Sequence, residues 1–247
     1  AGVGGATEVI PNEGYTILTS HSMPAIPLFT LSGFLLSESK AGERLVKLFR
    51  SLFGWLPGGL VIASVLVSTF FTTFTGASGV TILALGVLLS YVLIESGNHT
   101  DSFSTGIITA SGSIGLLFPP SLAIIIYGWV AEINIFHLFL GGILPGVLMV
   151  VLMSLVGVFV SLKKKTEHPP FNVKVALSEM KKSFWEILLP VIIVVAYFSG
   201  TTSLVETGAL AVVYTFVVEV IIHREIRLRD LKTVALKALP IMGGILM

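Results

Sequence analysis

Two short stretches of this chain concentrate groups that could hold an ion. Seven hydroxyl residues (Ser68, Thr69, Thr72, Thr73, Thr75, Ser78 and Thr81) fall within 14 positions around Gly76-Ala-Ser-Gly79. A second stretch reads Gly112-Ser-Ile-Gly-Leu-Leu-Phe-Pro-Pro-Ser121. Neither carries a charge, and the chain has no cysteine, so the available chemistry is that of neutral oxygens. A hard cation such as sodium takes several oxygen ligands, and backbone carbonyls and hydroxyls suffice. Gly76, Ser78, Gly79 and Thr81 from the first stretch, with Gly112, Ser113, Gly115, Pro119 and Ser121 from the second, form the candidate sodium and substrate site. Glycines let two backbones approach closely. A branched residue at Gly79 or Gly115 is therefore expected to do more harm than loss of one hydroxyl. An organic anion finds no Lys or Arg between residues 51 and 162. Its carboxylate would need helix N-termini and hydroxyl donors. The competing reading is that these hydroxyls only hydrogen-bond between packed helices; their clustering at two breaks favours a site.

Other chemistries find little support. There is no Gly-x-Ser-x-Gly elbow, no His-Glu-x-x-His and no Walker motif, so nothing suggests ATP use and no catalytic residue is assigned. An intramembrane enzyme using Ser78 or Ser121 as nucleophile would need a paired base, and residues 51–94 offer none. An ionisable group in a span is a functional candidate by default. Glu219, however, lies one turn from His223 and Arg224 and reads as half of a border ion pair. Glu206 follows a polar loop and reads as a helix cap. His99, beside Asp101, reads as part of a solvated turn.

The elements that must position the two stretches are apolar. Hydrophobic residues make up 54% of the 247 and charged residues 12%, with a mean hydropathy of +0.95. Soluble domains carry about 25% charge, so the class is an all-α polytopic membrane protein embedded in a lipid bilayer. The net charge of +1 forms no basic patch that would suit nucleic acid. Residues 1–22 are polar and Gly-rich and read as loop, and Met23 to Leu36 is a short apolar segment. Lys40, Arg44, Lys47 and Arg50 recur on one helical face, as in an interfacial helix turning its basic side to headgroups. Apolar arms Trp55–Phe71 and Val80–Ile94 flank the first stretch. A connection between two full spans would reach water, yet this one has neither charge nor Asn. It reads as a re-entrant helical hairpin with its tip at 76–79, against the alternative of two ordinary spans joined by a tight turn. Ser104 to Phe118 is a helix that Pro119 and Pro120 must stop, since Pro lacks the amide and restricts the residue before it. It restarts near Ser121, a candidate N-cap for Leu122 to Ala131. This is one tilted, Pro-broken span. Ile135–Leu162 is a long span ending at Lys163-Lys-Lys165, and Phe171–Ser183 is a short amphipathic piece. Spans over 184–198 and 205–223 follow, and another apolar stretch starts near Val234. The basic clusters 40–50, 163–182 and 224–237 then fall on one, cytoplasmic, side.

Four parts follow: 1–50, an N-terminal loop, a partial scaffold helix and the basic helix; 51–132, the moving part with hairpin and broken helix; 133–183, a transmembrane helix and amphipathic arm; and 184–247, scaffold helices, a second basic arm and the start of a further helix.

Ser113-Ile-Gly-Leu-Leu-Phe-Pro-Pro-Ser121, then Ile124-Ile-Ile-Tyr-Gly128 and Phe139-Leu-Gly-Gly-Ile-Leu-Pro-Gly146, resemble the large (M) membrane subunit of the TRAP (tripartite ATP-independent periplasmic) transporters. Pro27-Leu-Phe-Thr-Leu-Ser-Gly33, Gly58-Gly-Leu60 and Glu206-Thr-Gly-Ala-Leu-Ala-Val-Val-Tyr214 are similar to flanking patterns of that family, in consistent order over most of residues 24–232. The resemblance implies a sodium-coupled importer of a small organic acid, such as a C4-dicarboxylate or sialic acid. The sodium ion would be the coupling ion, and the fold would be an elevator built from inverted repeats in the bacterial inner membrane. It further implies a small membrane (Q) subunit and a periplasmic substrate-binding protein as partners. The hairpin tip and Pro-Pro break would build one sodium site. A matching second hairpin and break, with the second ion site and half the substrate site, would lie outside this partial chain. Another ion-coupled anion transporter with related hairpins is the alternative.

Overall fold

The computed structural model describes residues 22–96, 99–164 and 170–246, and the expected loop over residues 1–21 and the basic residue Lys165 lie outside it. The described residues form helices and no strand. In chain order the helices are α1 (Ala25–Glu38), α2 (Ala41–Phe53), α3 (Gly59–Thr75), α4 (Ser78–Tyr91, extended by a π-turn Val92–Ser96), α5 (Asp101–Ile114, tightening to a 3₁₀ turn at Gly115–Leu117), α6 (Leu122–Val130), α7 (Ile135–Lys164), α8 (Val173–Lys182), α9 (Phe184–Phe198), α10 (Leu204–Phe216, with a π-turn Val217–Ile222) and α11 (Leu231–Leu246).

α3 is the hub. Of its 17 residues, 13 are buried, and it packs on α1, α2, α4, α5 and α7. Left-handed glycines bound it on both sides, Gly58 at φ 76° and Gly76 at φ 66°, a conformation that costs glycine nothing. Gly58 lets the α2–α3 turn seat on α7: an added Cβ there would lie 2.7 Å from the backbone of Gly157 and Val158. α1 crosses α3 where a Cβ on Gly33 would meet the Phe74 carbonyl oxygen at 2.5 Å. On its other side α1 packs against α10, where the Ser32 and Thr215 hydroxyls stand 2.8 Å apart.

Three helical stretches are long and apolar enough to cross a membrane: Ser78–Glu95, Ile135–Lys163 and Leu204–Ile222. α5 and α6 pass the same test as a pair bent by 48° at the Pro-Pro break, where Pro119-Pro120 is cis. The outer face of α7 exposes Leu144, Leu148, Val151, Leu155 and Phe159, a surface suited to hydrocarbon. The protein is therefore membrane-embedded.

The basic face expected on α2 divides. Lys40, Lys47 and Arg50 are exposed, but Arg44 turns inward and keeps only 13% of its side chain exposed. His99 also departs from the solvated turn expected for it. It is buried against Phe103, with ring centroids 4.9 Å apart, and its Nε2 lies 3.4 Å from the Ser161 hydroxyl.

Candidate functional site

The two breaks meet. Gly76 ends α3 in the left-handed region, and a Cβ there would overlap the side chain of Leu122, the first residue of α6. Gly115 lies against the body of α3. A Cβ on it would stand 2.6 Å from Thr72 Cβ and 2.9 Å from Thr73 N, and would overlap the Thr69 carbonyl oxygen. Only glycine admits that approach without displacing backbone. At Gly112 a Cβ would come within 3.3 Å of Ile82 and 3.7 Å of the Ser78 carbonyl oxygen.

Hydroxyls line this contact. Thr72 donates to Thr81 at 2.8 Å, and Thr75 stands 3.1 Å from Thr81, so these three tie the end of α3 to the first turn of α4. Thr73 Oγ1 lies 2.8 Å from the Thr69 carbonyl and 3.2 Å from that of Gly115, joining hairpin to break. The hydroxyls of Ser68, Thr69, Ser104 and Ser121 are buried without a hydrogen-bond partner among the described residues. A buried polar group left unpaired costs about 1–3 kcal/mol, so Thr69, at the Gly115 contact, and Ser121, at the break, mark a place where further partners would be favourable, whereas Ser104 lies in the first turn of α5, away from it.

Two helices start here without side-chain caps. α4 begins after Ala77, which has no side-chain oxygen to offer. α6 begins after Ser121, which stands at the N-cap position with φ −67° and ψ 128° but makes no capping bond. That corrects the capping role expected of Ser121. Unpaired N–H groups and the helix dipole give each start partial positive charge. The contact of Gly76 with Leu122 makes the two starts neighbours.

Other candidates fall elsewhere. Thr81 is buried and spends its hydroxyl inside the hairpin. Pro119 is buried at the break. Ser78 is half-buried at the start of α4. Ser113, a candidate from the second stretch, is exposed along an open groove of about 770 Å³ on α5, with Asp101, Ser102, Thr105 and Thr109. Gly79 is exposed, and a Cβ there would meet nothing within 4 Å. The close approach expected at both Gly79 and Gly115 therefore holds at Gly115 alone. Thr73 was legible only as one hydroxyl in a cluster; its link to the Gly115 carbonyl depends on how α3 and α5 pack.

A second polar centre brings together residues far apart in sequence. Arg44 Nε donates to Glu186 Oε1 at 2.6 Å and Nη2 to Glu219 Oε2 at 3.0 Å, while Nη1 pairs with Glu225. His223 Nδ1 lies 3.6 Å from both Glu186 and Glu219. Burial opposes the charge on Arg44, but the carboxylates of Glu186, Glu219 and Glu225 outweigh it and hold its pKa above the ordinary guanidinium value. Glu219 is thus ion-paired as expected, but with Arg44 of α2 rather than Arg224. The spacing of Glu219 and His223 was the only visible signal. Glu186, Glu219 and His223 place ligand atoms within 4.8 Å of one another, yet Arg44 already bonds Glu186 Oε1 and both oxygens of Glu219, leaving only Glu186 Oε2 without a partner among the described residues, so the arrangement is an ion lock. Glu206 forms the cap read for it: Ser203 Oγ accepts from Glu206 N at 3.3 Å, and Glu206 Oε2 accepts from Ser203 N at 2.7 Å.

The family described as "Tripartite ATP-independent periplasmic transporter, DctM component" matches residues 5–247. Among individual relatives, the C4-dicarboxylate TRAP transporter large permease protein DctM of Pseudomonas aeruginosa is 32% identical over 228 residues, covering 92% of this chain and 52% of that protein. The sialic acid TRAP transporter permease protein SiaT of Haemophilus influenzae is 31% identical over 92% of this chain and 37% of its own length. The ectoine TRAP transporter large permease protein TeaC of Halomonas elongata is 28% identical over 87% and 50%. The chain spans about half the length of the large permeases it matches, and these relatives are transporter permeases rather than enzymes. With the family model matched over residues 5–247, a range that holds both helix breaks, this chain belongs to the DctM component family of tripartite ATP-independent periplasmic transporters.

Proposed function

We propose that this chain forms one half of the large subunit of a TRAP transporter, with one of its sodium sites, and takes part in sodium-coupled import of a small organic anion across the bacterial inner membrane. The observation that carries this reading is the contact between the two helix breaks: neutral oxygens and two uncapped helix starts packed together, in a stretch without Lys or Arg from 51 to 162. The residues fit a hard monovalent cation. The carbonyls of Thr69 and Gly115 flank the Thr73 hydroxyl, and the buried Ser121 hydroxyl lacks a partner. Carboxylates would instead suit a divalent ion, and none lies at this contact. Ser78, Gly76 and Pro119 would contribute backbone oxygens, and the starts of α4 and α6 would face the anion. Bound at this site, sodium would add positive charge beside the anion and lower the cost of its entry.

In this reading residues 51–132 move as an elevator, with the hairpin entering and leaving on one side and α1, α9 and α10 belonging to the scaffold. A small Q subunit and a periplasmic binding protein are the expected partners. The large permeases and fused permeases similar to this chain are named for C4-dicarboxylate, sialic acid, isethionate and ectoine, so the substrate class is a small carboxylate or similar anion. The test is uptake of labelled substrate by the complete complex in proteoliposomes, with and without an inward sodium gradient. Uptake that is independent of sodium, or driven by ATP, removes the reading. A hydrolytic role for Ser121 has no support, since its hydroxyl has no base among the described residues.

A further inference from the structure

We infer that the groove between α2 and α8 is a binding site for a phospholipid whose headgroup carries both a phosphate and a primary ammonium, as phosphatidylethanolamine does. The groove encloses about 420 Å³ and is lined by Lys47, Arg50 and Trp55 on one wall and by Phe171, Val175 and Glu179 on the other. Its depth relative to the bilayer follows from two observations. The α2–α3 turn, next to Trp55, seats on α7 at Gly157 and Val158. Lys163, near the end of that span, lies five residues further on, or about 7.5 Å at the helical rise. Trp55 therefore sits within one to two turns of the basic border, at the level where membrane proteins place indole rings. α8 presents Val173, Leu177, Met180 and, just beyond it, Phe184 outward, at three- and four-residue spacing. Such a stripe belongs in the interface rather than in water.

The lining divides into an apolar floor and three charged groups. Trp55 and Phe171 stack at a tilt with centroids 6.0 Å apart, and both are nearly half exposed, at 46% and 47%. Among the described residues neither Lys47 nor Arg50 makes an ion pair, so two cations stand ready for a phosphate. The Trp55 indole already donates to the Leu52 carbonyl and Ser51 to that of Leu48, so neither competes for the headgroup. Glu179 is the discriminating group. Its Oε2 is buried, so the position that a headgroup ammonium can take is at Oε1, which now accepts from the exposed Lys182 at 2.6 Å. A carboxylate beside a phosphate site would repel a purely anionic lipid. It would accept a hydrogen bond from a primary ammonium, but a quaternary one has no N–H to give. The groove thus suits a phosphate and an ammonium held a few ångströms apart, with the glycerol and upper acyl carbons against Trp55, Phe171 and Val175.

The probes are phosphatidylethanolamine, phosphatidylglycerol and phosphatidylcholine with identical acyl chains. They are offered as an equimolar mixture to the full-length protein with its co-purifying subunits and read by native mass spectrometry. Retention of the ethanolamine lipid is expected to exceed that of either competitor roughly tenfold, the scale of one charge-assisted hydrogen bond. Glu179→Gln should bring the ethanolamine-to-glycerol ratio close to one, and Lys47→Gln with Arg50→Gln should lower retention of all three. Unfolding temperature and gel-filtration profile report whether the variants fold. A measurement on the unaltered protein stands beside them: photoactivatable phosphatidylethanolamine should crosslink to peptides 47–55 and 170–179. Equal retention of the three lipids, a preference that survives in folded Glu179→Gln, or crosslinks confined to other peptides would each overturn the assignment. So would a protein subunit crosslinked to Trp55→Cys in place of lipid. None of these outcomes depends on sodium coupling.

Discussion

The contact between hairpin and broken helix and the Arg44 lock are both polar islands among apolar helices, and they are polar in opposite ways. The first is built from hydroxyls, carbonyls and helix starts, with no formal charge. On the proposed function, Thr73, Gly115 and Ser121 would gain and lose an ion without leaving a bare charge behind. The second holds three carboxylates around one guanidinium, two of them, Glu186 and Glu219, at 0% side-chain exposure. Removing one partner there leaves uncompensated charge in a low dielectric, which is costly. A region proposed to bind and release an ion is better made of partial charges, and a region that holds α2 against α9 and α10 can use full ones.

The largest effect should therefore come from the lock. Arg44→Met is expected to cost on the order of 3–5 kcal/mol, the scale for breaking a buried pair, measured as a shift in detergent unfolding. A loss under about 1 kcal/mol would place the cluster among exposed ion pairs and erase the contrast. The pH dependence follows from the raised pKa of Arg44. A cation with a raised folded pKa contributes in full below its ordinary value and loses that contribution only as pH climbs through the folded one. Its share should be constant from about pH 6 to 10, since free guanidinium titrates above ~12. Any pH dependence in that window that disappears in Arg44→Met would argue against this.

Next in size is Gly115→Val, where overpacking against Thr69, Thr72 and Thr73 should cost about 1–3 kcal/mol. In folded protein it should raise the sodium concentration needed for half-maximal uptake. An unchanged sodium dependence in normally inserted protein means that the ion binds elsewhere. Glu206→Ala removes half of a capping box and should cost about 1 kcal/mol, with sodium dependence untouched; a shift in that dependence would tie α10 to the ion. The smallest effect is expected for Gly79→Val, which points into open space and should change stability by less than about 0.5 kcal/mol. Unfolding midpoints of the Gly79 and Gly115 variants, compared directly, test whether the breaks touch where described.

Much of the architecture was legible from residue order. A chain with this hydropathy must fold as apolar helices, and Pro119-Pro120 must interrupt one of them because two consecutive residues resist helical backbone. Gly76 after Thr75 marked a turn, and the polar loop before Glu206 marked a helix cap, though not the Ser203 side chain that completes its capping box. These signals are local: each acts within a few residues through sterics or one hydrogen bond.

Burial and partnership were not legible. Lys40, Arg44, Lys47 and Arg50 look alike along α2, and only the packing of α2 on its neighbours selects Arg44 to face Glu186, 142 residues away. Gly79 and Gly115 look alike too, yet one opens outward and the other receives the backbone of α3. Ser113 and Ser121 carry the same hydroxyl, one exposed and one buried without a partner. Residue type and spacing determine which helices form and where they must break, because those depend on backbone geometry nearby. Which face of each helix turns inward depends on the summed fit of all its neighbours, and so only the assembled bundle decides which oxygens and charges meet.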